Sequence, residues 1–165
     1  MLVPYDPDWG HSYEALRHNL SALLGRRAID IQHVGSTSIR GVAAKPILDV
    51  DVLIDRRAWS AVLELLCSAG YEHQGDLGIA GREAFAAPPT AIAHHLYVCI
   101  SGTPEWNRHL RFRDYLRLHP DVAADYVRLK RRLAVTHRDD RAAYTAAKSE
   151  FVEQVLAAAE AEPPA

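Results

Sequence analysis

The sequence predicts an α+β domain. Three observations carry that reading. Two β-branched apolar runs, at residues 29–34 and 47–54, are too short for helices. Residues 94–100 alternate with a period of two, and both ends of the chain carry apolar residues at helical spacing. Asp6-Pro7 opens the first helix, because Asp6 can accept from free N–H groups and proline suits the first helical position. Tyr13, Leu16, Leu20, Leu23 and Leu24 continue it to Gly25. The first strand leads into the turn Gly35-Ser36-Thr37-Ser38 and a small-residue loop ending at Lys45-Pro46, after which the second strand begins. Asp55 caps one intervening helix with the stripe Trp59, Val62, Leu63 and Leu66, and Gly70 closes it. From Tyr71 the chain turns strand-like, with glycines at 75, 78 and 81, a short strand over 82–86 and a break at Pro88-Pro89. In the last strand Leu96, Val98 and Ile100 fall on one side and His95, Tyr97 and Cys99 on the other. Three helices follow: one from Thr103-Pro104 to Pro120, one over 121–135, and one started by Asp139 or Asp140 and running through Tyr144 and Phe151 to Leu156. Residues 1–160 read as a single domain and 161–165 as a disordered tail.

A chain of 165 residues, 48% apolar and 24% charged, is long enough for one well-formed core and is not a disordered polymer. Cys67 and Cys99 cannot build a disulfide framework, and no CxxC pair offers a zinc knuckle. No apolar run approaches the roughly 20 residues of a membrane helix, and the N-terminal residues do not form a signal peptide. The expectation is a cytoplasmic protein with no membrane partner. Residues 105–150 hold eleven Arg/Lys against seven Asp/Glu, within a chain of net charge −2. That excess is too weak for a nucleic-acid groove. It reads either as solvated helix faces or as a surface turned toward an anionic ligand.

One constellation carries chemistry. Asp49 and Asp51 lie two apart in the most strand-like segment, so both carboxylates share a face opposite Leu48, Val50 and Val52. Neighbouring carboxylates raise each other's pKa unless a positive group sits against them. A divalent cation is the economical partner, and Mg²⁺ takes one or two carboxylates and completes its shell with water and phosphate oxygens. The plain alternative is a solvated edge face paired with Lys45 or Arg82. The turn before the pair favours the cation, since Gly35 lets backbone approach a phosphate and Ser36, Thr37 and Ser38 supply hydroxyl and N–H donors.

The segments from Gln32 to Ile39 and from Gly41 to Val50 resemble the signature of the GrpB family. So do the run Leu110 to Pro120 and the later Tyr126, Leu129-Lys130, Tyr144, Lys148 and Phe151. The resemblance covers nearly the whole chain and implies a nucleotidyltransferase-like mixed sheet. It also implies attack of an acceptor hydroxyl on a nucleotide phosphate with Mg²⁺, a nucleoside triphosphate as donor and a small molecule as acceptor. Asp49 and Asp51 would hold metal, and Gly35, Ser36, Thr37 and Lys45 would hold phosphate. Arg113, Lys130 and Lys148 would reach over the cleft as further phosphate ligands. The alternative that the family offers is a non-catalytic nucleotide- or partner-binding accessory module, as when a GrpB-like domain is fused behind dephospho-CoA kinase.

The third carboxylate of nucleotidyltransferases is missing from the strand His94-His95-Leu96-Tyr97-Val98, and Arg40 stands where the family more often has proline. Glu83 on a neighbouring strand is one substitute, and His95 as general base is another. A third arrangement joins His33 and His95 to the acidic pair as a mixed nitrogen–oxygen site for Mn²⁺ or Zn²⁺. The plain alternative makes these histidines hydrogen-bonded parts of partly buried strands. Acceptor specificity is expected from residues 75–93 and the C-terminal helices.

Overall fold

The computed structural model describes residues 2–137 and 140–162. Helix α1 (Asp8–Leu24) leads through a 3-10 turn into β1 (Ala28–Val34). A second 3-10 turn, Ser36–Ser38, and a loop then lead to β2 (Leu48–Ile54). Next come α2 (Trp59–Ser68), β3 (Glu72–Gly75), β4 (Arg82–Ala86) and β5 (His94–Ile100). Helices α3 (Pro104–Leu118), α4 (Pro120–Thr136) and α5 (Arg141–Ala161) complete the α+β chain.

Local chemistry explains most boundaries. The Asp6 carboxylate accepts from the Asp8 N–H at 2.9 Å, so the expected cap forms two residues ahead of the regular helix. Strand β2 begins one residue later than expected, because the Ile47 N–H is drawn back to the Lys45 carbonyl at 2.8 Å. Pro120 opens α4 instead of merely stopping α3, since its missing N–H is no loss in a first turn. Asp140 caps α5 by accepting from the Ala143 N–H at 2.9 Å, whereas Asp139 lies outside the described residues. Helix α5 continues to Ala161, beyond Leu156 and into the segment expected to be a tail, and residues 163–165 of that tail lie outside the described residues.

The five strands form one mixed sheet in the order β1-β2-β5-β4-β3. Only the central pair β2–β5 is parallel, and it places Asp49 opposite His95 and Asp51 opposite Tyr97. One sheet face is apolar: Leu48, Val50, Val52, Ile54, Leu96 and Val98 pack under α1 and α2 with Leu16, Leu20, Leu24, Val62 and Leu66. A second core joins the Ile39–Val42 loop to Phe112, Leu116, Tyr126, Val155 and Leu156 from the last three helices. Those helices therefore stand over the opposite, polar face. Trp9, Trp106 and Tyr126 are buried as packing residues.

Strand β1 lies at the sheet edge, and two of its carbonyls are capped by side chains. The Tyr13 hydroxyl donates to the Ile31 carbonyl at 2.8 Å, and Arg113 donates to the His33 carbonyl at 3.0 Å. His33 points to the α1 side, where its ring stacks on Tyr13 at 4.8 Å and its Nε2 meets the Thr37 hydroxyl at 2.9 Å. Burial, assisted by the Arg117 charge, pushes its pKa down to about 4. The unfolded chain then binds a proton between pH 4 and 6.5 that the native state refuses. Stability should rise with pH across that window and level off above it, by on the order of 3 kcal/mol from this residue. Urea denaturation at pH 4.5, 5.5 and 7 will show that slope in the wild type and a flatter one in His33→Gln; parallel slopes would refute it.

Candidate functional site

The alternation of β2 turns Asp49 and Asp51 to the same, polar face, as the sequence predicts, but the two carboxylates are not equivalent. The Asp49 side chain is 31% exposed at the end of the strand, beside the Gly35–Ser38 turn. Asp51, one pleat further in, is 0% exposed.

Gly35 makes the first position possible. Its φ of 68° is left-handed, and a Cβ built on it would stand 2.3 Å from Asp49 Oδ2. Only a bare Cα lets the turn and the carboxylate lie this close. Asp49 Oδ1 accepts from His95 Nδ1 at 3.0 Å, across the parallel register. That bond to Asp49 raises the His95 pKa despite partial burial. The His95 side chain is 55% exposed, so it stands at the mouth of the cleft, where an acid was missing from the sequence.

Asp51 is held from the opposite layer. Its Oδ2 accepts from His109 Nδ1 of α3 at 2.6 Å, while Oδ1 is buried without a hydrogen-bond partner. Burial raises the Asp51 pKa and the His109 bond opposes that rise. Burial likewise works to lower the His109 pKa, but the hydrogen bond and charge of Asp51, with Glu105, outweigh it and leave it raised. Each carboxylate thus has its own imidazole. His109 was not singled out from the sequence; it sits among other polar residues of a helix with little apolar contrast, so no local pattern marks it.

Two lysines complete the polar face. Lys130 Nζ donates to the Ser36 hydroxyl at 2.9 Å and the Ala43 carbonyl at 2.6 Å, and lies 4.7 Å from the Tyr126 ring centre. Burial, with repulsion from Lys148, pushes its pKa down to about 7. The electrostatic pull of Tyr126 is the main cause that raises the Lys148 pKa against burial, and the Asp49 charge adds to the rise. Lys45 is exposed, and its charge acts on His95.

Four expected members stand elsewhere. Glu83 pairs with His73 at 2.7 Å, and its register partner is Val98, an apolar-face residue; the strand alternation that helps Asp49 and Asp51 turns Glu83 away from them. His33 alternates with Gln32, the register partner of Asp51, and so faces α1, with Thr37 bonded to it. Arg113 is buried against β1, donating to Gln32 Oε1 at 2.7 Å and Asp114 Oδ1 at 2.7 Å. Together with Tyr13 and Arg117, the residues His33, Thr37 and Arg113 line a 580 Å³ groove on the outer side of β1, away from the acidic pair. The mixed His33–His95–Asp49–Asp51 metal set is therefore not assembled. Among the described residues, no three His, Cys, Asp or Glu side chains are grouped to hold a metal ion.

Of the two carboxylates, only Asp49 is open to a cation. Gly35→Ala tests that corner. Left-handed strain alone costs about 1–3 kcal/mol, and the new methyl must push Asp49 off His95. A lower urea midpoint is expected, with the His95 pKa, followed by NMR, falling back toward 6.5. An unchanged His95 titration would refute the arrangement.

Comparison with known proteins follows the same outline. A profile of the GrpB protein family matches residues 1–158. The chain is 38% identical over 154 residues to UPF0157 protein YqkA of Bacillus subtilis, covering 92% of this chain but 44% of that one. It is 34% identical over 162 residues to glutamate-rich protein GrpB of Alkalihalophilus pseudofirmus, with 94% and 93% covered. Dephospho-CoA kinase of Mycolicibacterium paratuberculosis matches at 28% over 173 residues, covering 89% of this chain and 42% of the kinase. Among solved structures, conserved protein GrpB from Enterococcus faecalis superposes with a TM-score of 0.84, 32% identity and 96% of both chains covered. The Cid1 poly(U) polymerase bound to MgATP shares the fold at a TM-score of 0.57 and 16% identity, over 82% of this chain and 45% of that one. With its sheet order, Gly–Ser turn and acidic strand accounted for, the chain belongs to the GrpB family and has a nucleotidyltransferase-like fold.

Proposed function

We propose that the polar cleft binds the polyphosphate of a nucleoside triphosphate together with Mg²⁺, and serves nucleotidyl or phosphoryl transfer to a small acceptor. The observation that carries this reading is Lys130 bonded to Ser36 of the Gly–Ser turn, with the Lys148 charge acting in the same region on Asp49, the open carboxylate of the pair. The Lys148 ammonium, a Lys130 amine whose pKa of about 7 an arriving anion would raise, and a turn without a side chain at Gly35 suit an anion of several charges. Asp49 suits a hard cation shared with that anion, because Mg²⁺ is commonly held by one or two carboxylates plus phosphate oxygens.

When bound, Mg²⁺ would supply charge neutralisation at phosphorus. The chain's own residues do the rest. Ser36 and Lys130 fix the phosphate tail, and Lys148 balances the charge that Asp49 brings. His95 donates Nδ1–H to Asp49, so in its neutral form its lone pair sits on Nε2, placed to take the proton of an incoming hydroxyl.

A second reading, an accessory module that binds a nucleotide or a partner without turnover, is favoured by the sealing of Asp51 and by the match to part of a dephospho-CoA kinase. Two measurements separate them. Lys130→Ala should weaken binding of a fluorescent ATP analogue by about tenfold or more, and wild-type affinity in that variant would refute the cleft. Asp49→Asn should abolish nucleotide consumption while the protein stays folded. Binding without consumption in the wild type, across a panel of hydroxyl and amine acceptors, would leave the accessory reading in place.

A further inference from the structure

Two-ion chemistry needs both carboxylates, and the second one is otherwise engaged. Asp51 is 0% exposed, and its Oδ2 is occupied by His109 Nδ1 at 2.6 Å. A hard cation at Asp51 would need further oxygen ligands from its neighbours. Its partner across β1 is Gln32, whose Oε1 is already taken by Arg113 Nη1 at 2.7 Å. Its partner across β5 is Tyr97, and the next residue on that face is Cys99, whose sulfur is 3.9 Å away. Positive charge is supplied from within the chain instead. The guanidinium of Arg82, buried with its Nε unpartnered, lies 4.6 Å from the Tyr97 ring centre and acts on Asp51.

We propose that Asp51 is not a metal ligand in this chain: His109 reserves it, Arg113 occupies the amide oxygen of its register partner Gln32, and the site takes a single divalent cation at Asp49. In this arrangement His109 is a positioning residue. It holds the second carboxylate inward, so Asp51 braces α3 against the sheet and does not face the ligand. The inference rests on the proposed nucleotide cleft for the site's location, but it concerns the number of cations and which carboxylate binds them.

Equilibrium dialysis of the full chain against Mn²⁺, with and without a nonhydrolysable ATP analogue, tests it. One Mn²⁺ per chain is expected. Asp49→Asn should weaken that binding by about tenfold or more, and the isosteric Asp51→Asn should leave it within about threefold. His109→Ala should open a second, weaker Mn²⁺ site, while His109→Asn, whose amide can donate in place of Nδ1–H, should not. Two Mn²⁺ of similar affinity in the wild type would overturn the inference. So would equal losses in the two aspartate variants, or no Mn²⁺ bound in either arm. Absence of the analogue from the protein compartment would instead overturn the proposed function, and the nucleotide-free arm would still decide the count.

Discussion

Two carboxylates side by side on a central strand repel each other, and the whole polar face is organised around that repulsion. Asp49 and Asp51 are forced onto one face by the strand's period of two, with no freedom to turn apart. The chain answers with an imidazole for each. His95 reaches Asp49 from the adjacent parallel strand, and His109 reaches Asp51 from the helix lying across the sheet. Because the second imidazole belongs to α3, the acidic strand and the C-terminal helices are bound by charge as well as by packing.

That tie explains why the two halves of the chain form one site. The Gly35–Ser38 turn follows β1, but Lys130, bonded to its Ser36 hydroxyl, comes from α4, and Lys148, whose charge acts on Lys130, comes from α5. The second core, in which Ile39 and Val42 are packed among Phe112, Leu116 and Tyr126, fixes the turn relative to those helices. Arg113 works from the outer side: it closes the edge of β1 and holds Gln32, and so shapes the surroundings of Asp51 from behind. Its buried guanidinium, bonded to a carbonyl and an amide oxygen as well as to Asp114, contrasts with the exposed pairs Arg111–Glu160 and Arg128–Asp125. Exposed pairs of that kind contribute little to stability. Much of the basic excess in the C-terminal third is such solvated pairing, whereas Lys130 is buried and bonded to the Ser36 hydroxyl of the turn.

Local pattern was a good guide wherever one residue's direction follows from its neighbours'. The shared face of Asp49 and Asp51, the alternation through β5, the capping by Asp6 and Asp140, and the need for glycine at position 35 all come from backbone geometry over a few residues. The errors have a common source. Parity along their own strands sends Glu83 and His33 to the other side of the sheet, and the hydroxyl of Thr37, in the 3-10 turn, is bonded to His33. Arg113 matched a basic pattern and was drawn to an edge carbonyl instead. His109 had no pattern to match. Its importance arises from α3 passing over Asp51, a contact between residues 58 positions apart.

The sequence by itself determined the α+β class, the strand that carries the acidic pair, the flexible glycine before it and the family to which they point, because each depends on short-range periodicity or on a linear motif. Only the tertiary structure decided which carboxylate is open and which is sealed, which cations face the turn, and which histidine stands against which acid. Those outcomes depend on how helices from the end of the chain settle over strands from its beginning, and no local spacing encodes that crossing.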